Sequence, residues 1–566
     1  TNGNGNFYYA QTGNELASAL TLALNDIVEK SQSFTAASVP SARTADGGDF
    51  YQSFFFPLAS SAFWEGHLRA WHIAANGDVL DKNFNCALVD PDVGECNSGP
   101  FDPSAEYFWD ANEVMPAPAS RVLKTSKLSG GTPTLVNFDK ATIDAVDLGI
   151  VPFTLSPDPA PNDGGYVLHG STALTAEGLT DEIVQFARGC FFGSGVTGAG
   201  VTAQTPCATK NAILGDIFHS NPVAVKQPYI VSGEPSSALF RAAYSTRSRR
   251  IYAGTNGGYL ESFDAGNWDE NVEPAKYTVG SGAEVFGFMP WKARQNIRKQ
   301  IVDDPTKRTY YVDGSPQSAD VWQHPTPTTV PKTASEWRTI LVGGMRQGGE
   351  HYYALDITNP DNITGPAGNL PYPGYLWEFP DELDPDDISI AASIIPYLGE
   401  SWGQPVITRV RLNVAGQTNA GYGYERWVVI VSGGYDLTGQ PNEATSYDAA
   451  EYKGRSIYML DAKTGEVIAE KRFDPLGSDD TQYMTYSMPA TPAVIDLDSD
   501  GFADVVYMGD LGGQMFKWYI KPVGEDRVND GSSLRTQPNW PFRRIFTAPM
   551  QTLATVDYHK NIFTPP

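Results

Sequence analysis

The sequence predicts a mainly β fold: a β-propeller preceded by a smaller mixed α/β N-terminal module. Three observations lead there. A unit of strand, Gly-rich turn and strand recurs four times after about residue 215. The chain carries 55 glycines and 41 prolines, a composition that favours many short strands and turns over long helices. Its 566 residues, 41% hydrophobic and 19% charged, exceed one ordinary core, yet a large propeller can absorb such a length as one continuous ring.

In chain order, residues 1–14 are rich in Gly and Asn and read as a linker or the end of an upstream domain. Residues 15–210 form the mixed module. It opens on a helix whose apolar face is Leu16, Leu20, Leu24, Ile27 and Val28, capped by Asn14. Short aromatic strands follow at 51–56 and 68–72, and a further helix begins near Thr180, where Asp181 and Glu182 suit the positive end of its dipole. This module is expected to pack against the ring.

Residues 211–566 are the propeller. Strand 250–254 leads through Thr255-Asn256-Gly257-Gly258 into 259–264, and 337–342 leads through Gly343-Gly344 into 351–356. Strand 427–432 leads through Gly433-Gly434 into 455–461, and 504–508 leads through 509–513 into 514–520. These units start 87, 90 and 77 residues apart, which suits four-stranded sheets with hairpins of unequal length, each sheet covering its neighbour's apolar face. The Gly-Gly pairs are expected to supply positive φ and close backbone approach, and Asn256-Gly257 is the clearest hairpin signal. Long inserts at 289–331 and 360–402 are where binding surface would accumulate, although the five acids within 381–387 read equally as a solvated loop.

Charge narrows the partners. Forty Lys+Arg against 66 Asp+Glu give a net charge of −26, a field that repels nucleic acid and anionic membranes. Arg247, Arg249 and Arg250 are a short basic cluster, read as a solvated strand start. No stretch has the length of a membrane helix. With no initiator Met and no signal peptide in view, the chain reads as part of a longer or processed precursor. The four cysteines fall into two close pairs, Cys86/Cys96 and Cys190/Cys207, without CxxC spacing or a nearby His cluster. Two local disulfides in an oxidising compartment fit better than zinc.

The sharpest chemistry lies at 493–507. Asp496, Asp498 and Asp500 stand at positions 1, 3 and 5 of a loop, Gly501 at 6, the Phe502 carbonyl at 7 and Asp504 at 9. Calcium takes six to eight hard oxygens, and this spacing folds them around one point. Position 12 is Tyr507, where an EF-hand needs a bidentate Glu, and the flanking Val494-Ile495 and Val505-Val506-Tyr507 read as strands. A bidentate Asp504 would complete the shell. Without an ion, an acidic turn held by Asx hydrogen bonds would crowd four carboxylates together. Asp510 is expected to accept backbone N–H bonds in the next turn.

Signals of catalysis are weak. There is no HExxH, GxSxG, P-loop or strand-linked GxGxxG. His67 and His72 are wrongly spaced for a zinc pair, and His219 reads as a packed structural histidine. Two alternatives survive: another secreted propeller adhesin or scaffold, and an enzyme, since the strand ends Phe263-Asp264-Ala265 and Leu460-Asp461-Ala462-Lys463-Thr464-Gly465 are similar to those of quinoprotein alcohol dehydrogenase propellers, which bind pyrroloquinoline quinone and calcium.

An ordered set of motifs carries a stronger resemblance. Gly215-Asp216-Ile217-Phe218-His219-Ser220-Asn221-Pro222, then 250–258 with Phe263-Asp264-Ala265, then Glu284, Phe286, Met289 and Pro290 resemble the PilY/PilC family of type IV pilus biogenesis factors and tip adhesins. Residues 311–316, Leu341-Val342-Gly343-Gly344-Met345, Ala354-Leu355-Asp356, the calcium loop, and upstream Trp64-Glu65-Gly66-His67-Leu68, with His67 in place of the family's Asn, extend it over nearly the whole chain. The resemblance implies a seven-bladed, quinoprotein-like propeller that is not an enzyme. It implies Ca²⁺ on Asp496, Asp498, Asp500, Phe502 and Asp504, linked to pilus extension and retraction, surface adhesion and twitching motility. The implied partners are minor and major pilins at the pilus tip and a host or abiotic surface. The implied location is the cell surface or extracellular space, at the pilus tip and in association with the outer membrane, reached through the periplasm. Relatives commonly carry an N-terminal von Willebrand factor A-like domain, and Phe7-Tyr8-Tyr9-Ala10 resembles the junction just after it.

Overall fold

In the computed structural model, residues 48–150, 176–191, 209–301, 308–323, 331–362, 372–411, 425–436, 452–520 and 540–549 are described, with short breaks, together with 33–34, 207, 551–553, 556–558 and 562. The helix expected over 14–28 lies outside them, as do residues 384–387 of the acidic run. The fold is mainly β.

Each recurring unit becomes four antiparallel strands paired in chain order, with one short separate pair, Trp268–Asp269 and Lys276–Tyr277, set between the last two strands of the first. The first holds Val223–Val225, Arg250–Gly254, Leu260–Asp264 and Glu284–Met289. The second holds Gln317–Trp322, Trp337–Gly344, Tyr352–Asp356 and Gly374–Phe379. The third holds Val406–Arg411, Glu425–Ser432, Ser456–Asp461 and Val467–Arg472, and the fourth Ala493–Ile495, Val505–Gly509, Gln514–Tyr519 and Phe542–Thr547.

Side chains alternate across a strand, so both faces of each sheet can be buried. In the third sheet, Val428 and Ile430 pack with Val506, Met508 and Phe516 of the fourth. Their neighbours Val429 and Val431 point the other way, onto Ile340, Val342 and Ala354 of the second. In the first sheet, Tyr252 joins Leu341 and Tyr353 of the second, while Ile251 and Ala253 join Tyr51, Leu68 and Ala70 from upstream. This explains why inner-strand stretches such as 340–342 and 428–431 are unbroken apolar runs.

The upstream residues do more than pack against the ring. Strands Gly48–Phe56 and Glu65–Ile73 pair from Gly48↔Ile73 to Phe56↔Glu65 and cover the first sheet as a preceding blade would. Strand Leu123–Ser129 then pairs in parallel with Glu284–Met289, so it and its hairpin partner Thr132–Asn137 extend the first sheet to six strands. The helix expected to begin near Thr180 runs over Ala176–Arg188, so Asp181 and Glu182 lie past its first turn.

Three backbones meet without side chains where this module joins the first sheet. The Gly66 N–H donates to the Leu214 carbonyl at 3.0 Å and the Asn256 N–H to Asp216 O at 2.9 Å. A Cβ on Gly66 would run into the Gly215 carbonyl, and one on Gly215 into the Gly257 amide. Residues of the upstream and blade-opening motifs are therefore glycine for one shared steric reason.

Two expectations fail locally. Gly258, Gly434 and Gly513 do adopt positive φ, but Gly343 and Gly344 are ordinary strand residues, and Arg346, at φ 51°, makes that turn. What keeps them glycine is the ring of Tyr353 against Gly343 and the Ser401 carbonyl beside Gly344. The Arg247, Arg249, Arg250 cluster is not solvated. Arg247 donates to Thr339 Oγ1 at 2.7 Å and the Thr358 carbonyl at 3.0 Å, Arg249 pairs with Asp49, and Arg250 lies 3.0 Å from Asp264 Oδ1. The strand that they open is covered on both faces, so each charge needs an internal partner.

A buried triad pins the added strand. Arg121, just before it, donates from Nε and Nη2 to Glu284 (2.9 and 2.6 Å) and lies 3.2 Å from Glu261 Oε1. One guanidinium faces two carboxylates. Burial and the Glu284 charge push Glu261 up to about 8. A carboxyl whose folded value is raised contributes stability below its unfolded value, near 4.5, and loses it as pH rises through the folded value. The melting temperature should therefore fall from pH 6 to pH 9, and Glu261→Gln should flatten that slope; an unchanged slope in the variant would assign it to other groups.

The expected disulfides are both present, Cys86–Cys96 and Cys190–Cys207. Among the described residues, no helix is long and apolar enough to cross a membrane.

Candidate metal centre

The acidic loop joins the first two strands of the fourth sheet. Ala493–Ile495 pairs with Val505–Gly509 in the register Ala493↔Tyr507, Val494↔Val506 and Ile495↔Val505. β-branched residues on both sides hold these strands extended, and the Asp504 N–H donates to Ile495 O at 2.9 Å to close the base of the loop. Eight residues must then turn back within one strand spacing. Ser499 (φ 62°) and Gly501 (φ 87°) provide the left-handed backbone that this requires.

The carboxylates wrap inward. Asp496 accepts from the Asp500 N–H at 3.2 Å and the Gly501 N–H at 2.7 Å; Asp498 Oδ1 accepts from the Asp500 N–H at 3.1 Å. Asp500 Oδ1 accepts from the Phe502 N–H at 2.9 Å. As a result Asp496, Asp498 and Asp500 each bring an oxygen within 4.8 Å of the others. Asp504 stands outside that set, its Oδ2 accepting from the Leu497 N–H at 2.7 Å across the loop. Of the five expected donors, three converge, Asp504 braces the base, and Phe502 enters the site through its ring as well as its backbone. Clustered, half-exposed to exposed oxygens with no nitrogen or sulfur donor are a set that suits a hard cation.

Two arginines that the linear motif did not single out complete the site. Arg409 and Arg411 lie on Val406–Arg411 of the third sheet, and their guanidinium carbons sit 4.4 and 4.0 Å from the centre of the Phe502 ring. Arg409 Nε donates to Gly501 O at 2.6 Å, and a Cβ at position 501 would collide with its guanidinium. Gly501 is thus required twice, by φ and by space. Arg411 Nη2 donates to Asp500 Oδ2 at 2.6 Å. Partial burial would raise the Asp500 carboxyl, but the Arg411 hydrogen bond and charge and the Phe502 N–H hold it below the ordinary carboxylate value.

The other singled-out residues serve packing. Asp510 is buried and accepts from Gln514 N–H at 2.8 Å and Gln514 Nε2 at 2.7 Å. His219 Nδ1 lies 2.5 Å from Asp313 Oδ2, and His67 Nδ1 lies 2.8 Å from Asp110 Oδ2 with its ring stacked on Phe54. Asp78 comes close to Cys86 and Cys96, but those sulfurs are spent in a disulfide.

Comparison with known proteins places these features in context. A family model described as the PilY1 beta-propeller domain matches residues 214–562. The chain is 25% identical over 559 residues to the type IV pilus biogenesis factor PilY1 of Pseudomonas aeruginosa, covering 96% of this chain and 37% of that protein. It is 27% identical over 366 residues to a PilY1 homolog of Xylella fastidiosa, covering 63% of this chain and 22% of that one. The crystal structure of the P. aeruginosa PilY1 C-terminal domain is similar at 22% identity, with a TM-score of 0.36, over 61% of this chain and 55% of that one. The chain thus spans about a third or less of the length of these curated relatives.

Proposed function

Since this chain belongs to the PilY1 β-propeller family, we propose that it is the calcium-binding propeller region of a type IV pilus biogenesis factor and tip adhesin. The observation that carries the calcium part is the strand-flanked loop in which Asp496, Asp498 and Asp500 converge. Those three, the Phe502 carbonyl and Asp504 would hold the ion. Calcium would supply positive charge that relieves carboxylate repulsion and locks the hairpin, and its stabilising effect grows with free calcium by mass action.

In this reading residues 211–566 are the propeller and 15–210 the N-terminal module, joined to earlier parts of a longer protein through 1–14. The ring is seven-bladed. Four such sheets lie among the described residues, and Ile562 supports propagation beyond the fourth. It donates its N–H to Asp510 O at 3.0 Å and sits against Gly509, much as the Val312 carbonyl of the second sheet sits against Gly254 of the first. Two disulfides fit export through an oxidising periplasm to the cell surface. The ring would contact minor and major pilins at the tip, support pilus assembly and the balance of extension and retraction, and contribute to surface attachment and twitching.

Deleting the coding region in the source organism should remove surface pili, and the tagged protein should copurify with pilins in calcium. Full piliation after deletion, with no pilin recovered, would defeat the proposal.

A further inference from the structure

Strand residues two apart face the same side, so Arg409 and Arg411 both reach the calcium loop, yet they are held differently. Arg409 is buried at 6% exposure. Its Nη1 lies 3.0 Å from Glu234 Oε1 and 3.6 Å from Glu425 Oε1, and Lys332 Nζ sits 2.8 and 2.5 Å from the same two carboxylates. Two cations and two anions balance there, and Arg409 Nε donates to the Gly501 carbonyl. It is a fixed strut. Arg411 stands at the strand end with 39% of its side chain exposed, and its ion pair is with Asp500 Oδ2. It adds positive charge to an oxygen of the carboxylate set itself.

A positive charge beside a divalent-cation site opposes binding, so Arg411 is not placed there for affinity. We propose that Arg411 is a resident counter-cation of the calcium loop. It neutralises Asp500 in the calcium-free state, keeps the empty loop folded, and raises the calcium concentration at which the loop loads. This rests on the calcium reading above. Ligand charge count and site rigidity tune loops of this class between tight buffering and the weak, millimolar loading of extracellular modules. Arg411 shifts the site toward the weak end: the ion must approach against its charge and share or displace it on Asp500. The cost is Coulombic and partly screened by solvent, so it should depend on salt.

The test is calorimetric titration of the chelator-stripped chain with calcium chloride, using the unmodified chain, Arg411→Gln and Arg411→Lys. Arg411→Gln should bind calcium roughly tenfold more tightly at low salt, and most of that gain should vanish near about 1 M salt. Arg411→Lys, which keeps the charge, should stay near the unmodified chain. In chelator, Arg411→Gln should melt below the unmodified chain, because its loop carboxylates have lost their counter-charge. If the unmodified chain binds calcium and Arg411→Gln binds equally or more weakly, the counter-cation role is overturned while the calcium reading stands. If no variant binds calcium, both fall.

Discussion

Asp496→Ala should weaken calcium binding at least ~100-fold, about 2.7 kcal/mol, with the sheets intact. Asp496 is the residue around which the loop is wound. One of its oxygens accepts from the Asp500 N–H and the other from the Gly501 N–H, so both are committed to the turn that points the remaining carboxylates inward. Its removal takes away a donor and the loop's shape together. Calorimetry gives the affinity, and the calcium-dependent rise in melting temperature, which depends on binding to the native state, should disappear. Asp504→Ala is the informative companion. A comparable loss assigns Asp504 to the ion's shell at position 9, whereas retained affinity limits it to the Leu497 N–H that it accepts. Asp496→Ala binding calcium as tightly as the unmodified chain would end the metal reading of this loop.

The second large effect is structural. Arg121→Met should cost about 3–5 kcal/mol, because removing one partner from a buried ion pair strands an uncompensated charge. Arg121, Glu261 and Glu284 are each about 1% exposed or less in their side chains. Arg121 also donates to the Arg188 carbonyl at 3.1 Å, so its loss loosens helix Ala176–Arg188 and strand Leu123–Ser129 at once. The urea midpoint of the first unfolding transition should drop, and the upstream region should become the earliest protease target. Adding Glu284→Gln to Arg121→Met should recover part of the loss, since the stranded charge goes with it. A single-variant cost below about 1 kcal/mol would contradict the buried-triad account.

How far the sequence could be read differs from place to place for physical reasons. Hairpins such as 250–264 and the loop 496–504 are local: strand propensity, a Gly-rich turn and acids at alternate positions fall within a dozen residues. The disulfides are local too, with separations of 10 and 17 residues. The basic cluster at 247–250 reads as solvated in the sequence because its partners are Asp49, far upstream, and Thr339 and Thr358, about a hundred residues on. Gly343-Gly344 reads as a turn in the sequence, whereas its neighbours in the fold are the Tyr353 ring and the Ser401 backbone. Arg409 and Arg411 draw no reading from the sequence, because nothing nearby in the chain announces Phe502 and Asp500 as what they face.

Taken alone, the order of amino acids determined the mainly β class, the repeated sheet-forming units and the carboxylates of the candidate calcium loop, because each is written in contiguous residues whose backbone preferences and spacing act over one turn. Only the tertiary structure decided that an upstream strand completes the first sheet, that three glycines meet backbone to backbone, and that two arginines from the neighbouring sheet clamp the loop. Those outcomes depend on which apolar faces find each other when sheets stack, and that pairing brings together charges and surfaces that sequence separation keeps about 90 to 160 residues apart.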